Sequence, residues 1–240
     1  MKGLIFGATG MVGQGVLREC LLDPDVEVVL TVGRTATGVQ NPNLREIVHP
    51  DLFHYEGIES ELAGFDSCFF CLGQTSYGMT EADYERVTYG ITMAAAEVLC
   101  RVNPKMTFIY VSGAGTDTSE RGRSMWARVK GKTENALLRM PFAGVYMFRP
   151  GVIEPVHGAR SKTRLYRVFY MLAKPLLPVV RRAFPASVLT TAEIGQAMLW
   201  VAKHGYAKRV LESWDIRAVV RQTRFSNTQS STQGTPGNTG

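Results

Sequence analysis

The chain has 240 residues, 45% of them hydrophobic and 20% charged, with a net charge of +6. That is enough length and apolar content for one globular domain with a sizeable core, and no apolar run reaches the length of a membrane-spanning helix. The first strand begins at once, with no charged segment and apolar stretch before it, so the expectation is a cytoplasmic protein whose four cysteines stay reduced.

The first thirteen residues organise the rest. An apolar run, Lys2 to Phe6, breaks into Gly7-Ala8-Thr9-Gly10-Met11-Val12-Gly13 and continues with apolar residues at helical spacing up to Leu22. This reads as strand, tight turn and helix. Gly7 permits the turn, Gly10 lets the backbone approach a pyrophosphate, and Gly13 lets the helix sit close to the strand. The free N–H groups of the helix start then face the phosphates of a dinucleotide.

Residues 26–34 form a second apolar strand, with 44–49 as a third and 67–72 as a fourth. Cys68 and Cys71 have C-x-x-C spacing but lie on that fourth strand. A separation of three puts them on opposite faces, which speaks against a redox pair or a zinc site. Residues 81–101 have helical spacing and stop at Asn103-Pro104; 106–111 is a fifth strand, 126–140 a helix and 144–148 a sixth strand. This alternation predicts an α/β fold, a Rossmann-type doubly wound parallel sheet with helices on both faces. Its ligands would bind beyond the carboxyl ends of the strands.

Residues 1–225 are read as one dinucleotide-binding domain, with 152–185 as a basic and apolar cover for the substrate. Between residues 157 and 182 the chain carries seven Arg and Lys and no acid, and 191–204 reads as a helix. The plain reading of the basic stretch is a helix with a solvated basic face. An anionic ligand or, through residues 160–182, a membrane surface is the sharper alternative; no nucleic-acid partner is expected. Residues 226–240 contain no apolar side chain and are expected to form a disordered tail. Nothing resembles a metal cluster, and neither the substrate nor the oligomeric state is legible.

Strand two selects the cofactor. An NAD site places an acid at its end, whereas here the strand ends in Gly33-Arg34-Thr35. A guanidinium there suits a 2′-phosphate, so NADP(H) is expected over NAD(H).

The glycine turn, Cys71-Leu72-Gly73, Val111-Ser112-Gly113-Ala114-Gly115, Lys130-Gly131-Lys132-Thr133-Glu134 and Phe148-Arg149-Pro150-Gly151 together resemble the short-chain dehydrogenase/reductase superfamily. The chain is most similar to its atypical, epimerase-like members, including the Tat-interacting-protein oxidoreductase branch, over residues 1 to 216. The resemblance implies that Gly7 to Gly13, Leu72, Gly73, Pro150 and Gly151 contact the cofactor. It also implies a serine, and a tyrosine four residues before a lysine. Ser112 and Lys130 match, Lys130 also holding the nicotinamide ribose, but Trp126 stands at the tyrosine position. An indole only donates a hydrogen bond and does not titrate usefully, so the usual proton relay is absent.

Tyr170 and Lys174 match the motif by letter but follow the sixth strand, outside the catalytic helix. Tyr77, in the loop after strand four, is the candidate substitute acid, and His157 lies on the expected substrate side. Two functions follow. One is an NADP(H)-dependent oxidoreductase or epimerase-like enzyme with a departed Tyr-x-x-x-Lys motif, acting on a small molecule. The alternative is a non-catalytic NADP(H)-binding sensor or interaction protein.

Overall fold

The computed structural model describes residues 1–159 and 188–232, with side chains up to Thr223. Seven parallel strands form the central sheet: β1 (Lys2–Phe6), β2 (Val28–Gly33), β3 (Leu44–Val48), β4 (Ser67–Phe70), β5 (Thr107–Val111), β6 (Gly144–Arg149) and a last strand, β9 (Val210–Glu212). Their order across the sheet is β3-β2-β1-β4-β5-β6-β9. The order reverses at β1, which lies between β2 and β4. Phe6 is level with Val32 on one side and Phe70 on the other. The chain therefore leaves the sheet at Gly7 between Gly33-Arg34 and Cys71-Leu72, at the topological switch point of an open α/β sheet.

Helices cover both faces because the central strands are apolar on both. On one face Ile5, Phe69, Ile109 and Phe148 pack against α1 (Met11–Leu22), α5 (Thr191–His204) and the start of α6 (Ser213–Thr232). On the other, Leu4, Phe6, Phe70, Phe108 and Tyr110 meet α3 (Ile91–Val102) and α4 (Met125–Leu138). The second layer contains a run of rings, Phe6–Phe70–Phe108–Phe142, with successive centroids 5.2, 5.8 and 5.1 Å apart. Cys68 belongs to this layer and Cys71, just past the end of β4, to the first. The two thiols face opposite sides of the sheet, and burial pushes both up from the ordinary thiol range.

Two segments depart from the sequence reading. The helix expected over 81–101 is not uniform: α2 (Glu81–Glu85) opens into a π turn, Arg86–Gly90, before α3 continues the axis. The Phe53 ring lies against the turn, 3.1 Å from where a Cβ on Gly90 would be. Periodicity in a single chain carries no sign of such a widened turn, because it depends on a neighbour from another element. The second departure is the tail. Helix α6 runs to Thr232, which corrects the disordered tail over 226–232. Its first turns are anchored by Ile216, Val219 and Val220, and a nucleated helix propagates through polar residues. Residues 233–240 lie outside the described residues.

A short parallel pair, β7 (Val152–Glu154) with β8 (Val188–Thr190), brings the chain back to the main body. The basic stretch at 160–182, with Tyr170 and Lys174, lies outside the described residues. Helix α5 then begins with a reciprocal cap: the Thr190 hydroxyl accepts from the Glu193 amide at 3.0 Å, and the Glu193 carboxylate accepts from the Thr190 amide at 2.9 Å.

Helices α1 and α5 cross backbone to backbone. A Cβ on Gly15 would lie 2.3 Å from the Thr191 carbonyl oxygen, and one on Gly195 would lie 2.8 Å from the Gly15 oxygen. Farther along the sheet, Arg149 at the end of β6 is paired with the fully buried carboxylate of Glu134 on α4. Its Nε is 3.0 Å from Oε1, and a second guanidinium nitrogen reaches Oε2. The Arg149 Nη1 also meets Glu212 of β9 at 3.1 Å.

Two stability predictions follow from these contacts. Gly15→Ala should force α1 and α5 apart and destabilise the fold by about 1–3 kcal/mol, as an overpacked core does. A Gly57→Ala control, with nothing within 4 Å of the added methyl, should stay close to the parent. Arg149→Met should be worse, about 3–5 kcal/mol in urea unfolding, because it strands a buried carboxylate, and adding Glu134→Gln should restore part of the loss.

Candidate active site

The ends of β1, β2 and β4 build one half of the site. Gly7 has φ +79°, and a Cβ there would lie 2.7 Å from the Cys71 carbonyl carbon, so only glycine fits both the torsion and the space. Gly13 is tighter still: a Cβ would stand 2.1 Å from the Gly7 oxygen. The Gly10 amide donates to the Gly7 carbonyl at 2.9 Å and Gly10 caps α1 without a side chain. The Gln14 side chain closes the turn by donating to the Thr9 carbonyl at 3.0 Å. Ala8, Thr9, Met11 and Val12 complete a turn that presents backbone and a helix N-terminus to the space above it. This is a cradle that fits a pyrophosphate, and it exists because Gly7 and Gly13 let β1, α1 and the Cys71 backbone pack without a Cβ between them.

Beside the turn lies a cavity of about 300 Å³. Arg34 from the end of β2 and Leu72, Gly73 and Gln74 from the end of β4 line it. Its other walls were not foreseen: Asp51, Leu52 and Phe53 after β3, and Arg86, Val87 and Thr88 from the π turn. Asp51 to Phe53 follow a strand end at the carboxyl edge of the sheet, a position that could have marked them. Nothing in the linear sequence marks Arg86. The Asp51 carboxylate accepts from His54 Nδ1 and from the Phe53 amide, each at 2.9 Å. The His54 hydrogen bond, with that amide, holds Asp51 below the usual carboxylate range.

The chemical half lies at the ends of β5 and β6. Trp126, Lys130 and Glu134 are spaced four apart and form one stripe along α4. The Lys130 ammonium donates to the Ser112 carbonyl oxygen. It keeps some contact with solvent, yet enough protein encloses it that desolvation lowers its pKa to about 8, against the upward pull of Glu134.

The Ser112 hydroxyl is buried and lies 2.5 Å from Glu134 Oε1, with the Phe148 carbonyl at 3.2 Å. A hydroxyl has one proton to donate, and here Glu134 takes it. The sequence reading gives Ser112 a hydrogen bond to a substrate carbonyl. The geometry leaves it only acceptor capacity unless it lets Glu134 go.

Trp126 occupies the expected tyrosine place on the helix. Its indole edge lies 3.5 Å from the space beside Gly115, where φ of +86° turns the β5 loop. The ring therefore covers the loop that carries Ser112. Tyr77, the candidate substitute acid, is 82% exposed in the loop after β4. A glycine-flanked loop tyrosine has no apolar surface to hold it inward. His157 sits at φ 53° in a turn with Gly158. Pro150 and Gly151 join the strand ends: the Pro150 carbonyl accepts from the Ala114 amide at 2.9 Å, and the Gly151 amide donates to Ser213 Oγ at 2.8 Å.

No family model matches the sequence. Among solved structures, a short-chain dehydrogenase/reductase family oxidoreductase from Burkholderia thailandensis superposes with a TM-score of 0.64 at 15% identity, covering 95% of this chain and 97% of that one. The UDP-glucuronic acid 4-epimerase of Bacillus cereus, solved in complex with NAD, gives 0.64 at 15% identity over 88% of this chain and 78% of its own. The fold is thus the Rossmann-type α/β fold that these solved structures share.

Curated relatives are closer in sequence. The mitochondrial protein FMP52-2 of Scheffersomyces stipitis is 30% identical over 162 residues, which span 67% of this chain and 68% of the relative. Its mitochondrial paralogue FMP52-1 is 23% identical over 87% of this chain and 91% of its own length. These relatives overturn the cytoplasmic expectation. Composition and reduced thiols constrain folding, and they carry no address. At this identity and coverage, the chain belongs to the FMP52 protein family.

Proposed function

We propose that the chain is an NADP(H)-dependent oxidoreductase or epimerase-like enzyme of low intrinsic turnover, whose place of action is the mitochondrion, as its relatives' names indicate. The observation that carries the reading is the Gly7–Gly13 contact, a backbone cradle with no room for a side chain, opening beside Arg34. When bound, a reduced nicotinamide supplies the hydride. The chain's own residues then have three tasks. The turn and the start of α1 hold the pyrophosphate, and Arg34 pairs with the 2′-phosphate, which an acidic residue would repel. Asp51, an acceptor held ionised, suits the exocyclic amine of adenine.

The third task is the proton. Trp126 has none to give usefully, the Ser112 proton is engaged by Glu134, and Tyr77 is in solvent. Lys130 is left as the proton donor to a substrate oxygen, its ammonium passing one proton and regaining it from water. An ammonium with a pKa near 8 is matched to that work at mitochondrial and cytosolic pH alike.

The alternative, a non-catalytic NADP(H)-binding sensor, has support in one feature. The indole of Trp126 packs beside Gly115, three residues past Ser112, in the place where the resemblance implies a tyrosine.

Titration calorimetry checks the cofactor. NADPH should bind more tightly than NADH, and Arg34→Ala should remove roughly 1.5–3 kcal/mol of that difference. Equal affinities in the parent would overturn the preference.

Turnover separates enzyme from sensor. Carbonyl reduction by the parent should be slow, short by about the 10²–10⁴-fold that a positioned general acid contributes, and Trp126→Tyr should raise it. An acid works only while protonated, so kcat/KM of the parent should hold below about pH 8 and fall above it. Lys130→Met should remove both that dependence and the residual rate. No reduction by the parent or by Trp126→Tyr, with NADPH still bound, would favour the sensor.

A further inference from the structure

We infer that Arg86, carried by the π turn after α2, is a second specificity residue that closes on the 2′-phosphate from the side opposite Arg34. This rests on the NADP(H) reading above and deepens it. Arg34 and Arg86 come from elements far apart in sequence, yet both line the one cavity of about 300 Å³ beside the glycine turn. Neighbouring cations on the same side of the sheet are matched with carboxylates: Arg101 with Glu59 at 2.8 Å, Arg128 with Glu81 at 2.6 Å and Lys132 with Glu85 at 2.6 Å. Neither Arg34 nor Arg86 has an ion pair among the described residues.

The cavity's one carboxylate, Asp51, already accepts from His54 and the Phe53 amide. Two unmatched guanidiniums against one engaged carboxylate suit a dianion, and a phosphate monoester is close to that charge at neutral pH. A lone cation would suffice for a singly charged phosphodiester.

The wall that presents Arg86 is specifically built. Its guanidinium carbon sits 5.6 Å from the Phe53 ring centroid, a cation–π contact that limits where the head group swings. Phe53 in turn fits against the π turn because residue 90 is glycine, with only 3.1 Å between the ring and an added Cβ. The π turn widens the helix where Arg86, Val87 and Thr88 face the cavity. Arg86 itself keeps the α-helical bond of its amide to the Ala82 carbonyl, so it leads into the widened turn from the end of α2. Widened turns of this kind are frequently found at functional sites.

The test measures Kd for NADPH and for NADH in the parent, Arg86→Ala, Arg34→Ala and the double variant. Arg86 is exposed, so its removal leaves the core untouched. Arg86→Ala should weaken NADPH about 10- to 100-fold and NADH less than about twofold, in line with loss of one charge-assisted hydrogen bond. The double variant should bind both dinucleotides alike. Equal weakening of both in Arg86→Ala would show that Arg86 stacks on the adenine ring, and would overturn the inference. So would an unchanged NADPH preference in Arg86→Ala when Arg34→Ala has lost it, which leaves the cofactor reading standing. A parent that binds neither dinucleotide overturns the reading and this inference with it.

Discussion

The buried pairing of Glu134 with Arg149 is the interaction on which the chemical half of the molecule depends. It joins the middle of α4 to the end of β6, and through Glu212 to β9. Replacing such a pair with apolar residues can be neutral, so its presence alone says little about total stability. Its effect is one of position. With Glu134 held at zero exposure, the face of α4 that carries Trp126 and Lys130 has one rotation available against the sheet. The same carboxylate accepts the Ser112 hydroxyl's hydrogen bond, so the loop after β5 is held by Glu134 and by Lys130.

The cofactor half obeys a different constraint, the absence of side chains. At Gly7, Gly13 and Gly15 the neighbouring backbone occupies the space of a Cβ, at distances between 2.1 and 2.7 Å. These glycines bring β1, α1 and α5 together more closely than any side chain permits, and the same closeness exposes the amides at the start of α1. Packing and binding share one cause there. In the chemical half they conflict: the bonds that fix Ser112 and Lys130 are the bonds a substrate would have to compete with.

That contrast explains what was legible in the sequence. Gly7 and Gly13 were legible because a positive φ or a backbone contact admits no other residue, so the requirement is written into the chain at fixed spacing. The first six strands were legible because a sheet covered on both faces needs continuous apolar runs, and the departures at their ends amount to a residue or two, whereas β7, β8 and β9, of three residues each, are too short to carry such a run. Arg34 follows from its place just beyond β2. Ser112 was found by its motif, but its motif does not reveal that Glu134, twenty-two residues on, takes its proton. Arg86 and the π turn were invisible, since they depend on Phe53 meeting Gly90, a contact between distant segments. Tyr77 is named from its loop position, which carries no information on its exposure after β4.

The two halves together bear on how a chain with Trp126, where the resemblance implies a tyrosine, keeps its fold. Tyrosine in that role need not carry core packing, so a change to tryptophan leaves the Glu134–Arg149 clamp and the glycine contacts intact. The indole gains its own contact over Gly115, where the turned loop has no side chain to obstruct it. Lys130 is kept in the same setting whether or not a phenol stands before it, because its partners are the Ser112 carbonyl and the desolvated space around it. A lysine desolvated in this way carries its depressed pKa as a property of the fold. Under the proposed function, proton transfer near neutral pH is therefore expected at Lys130.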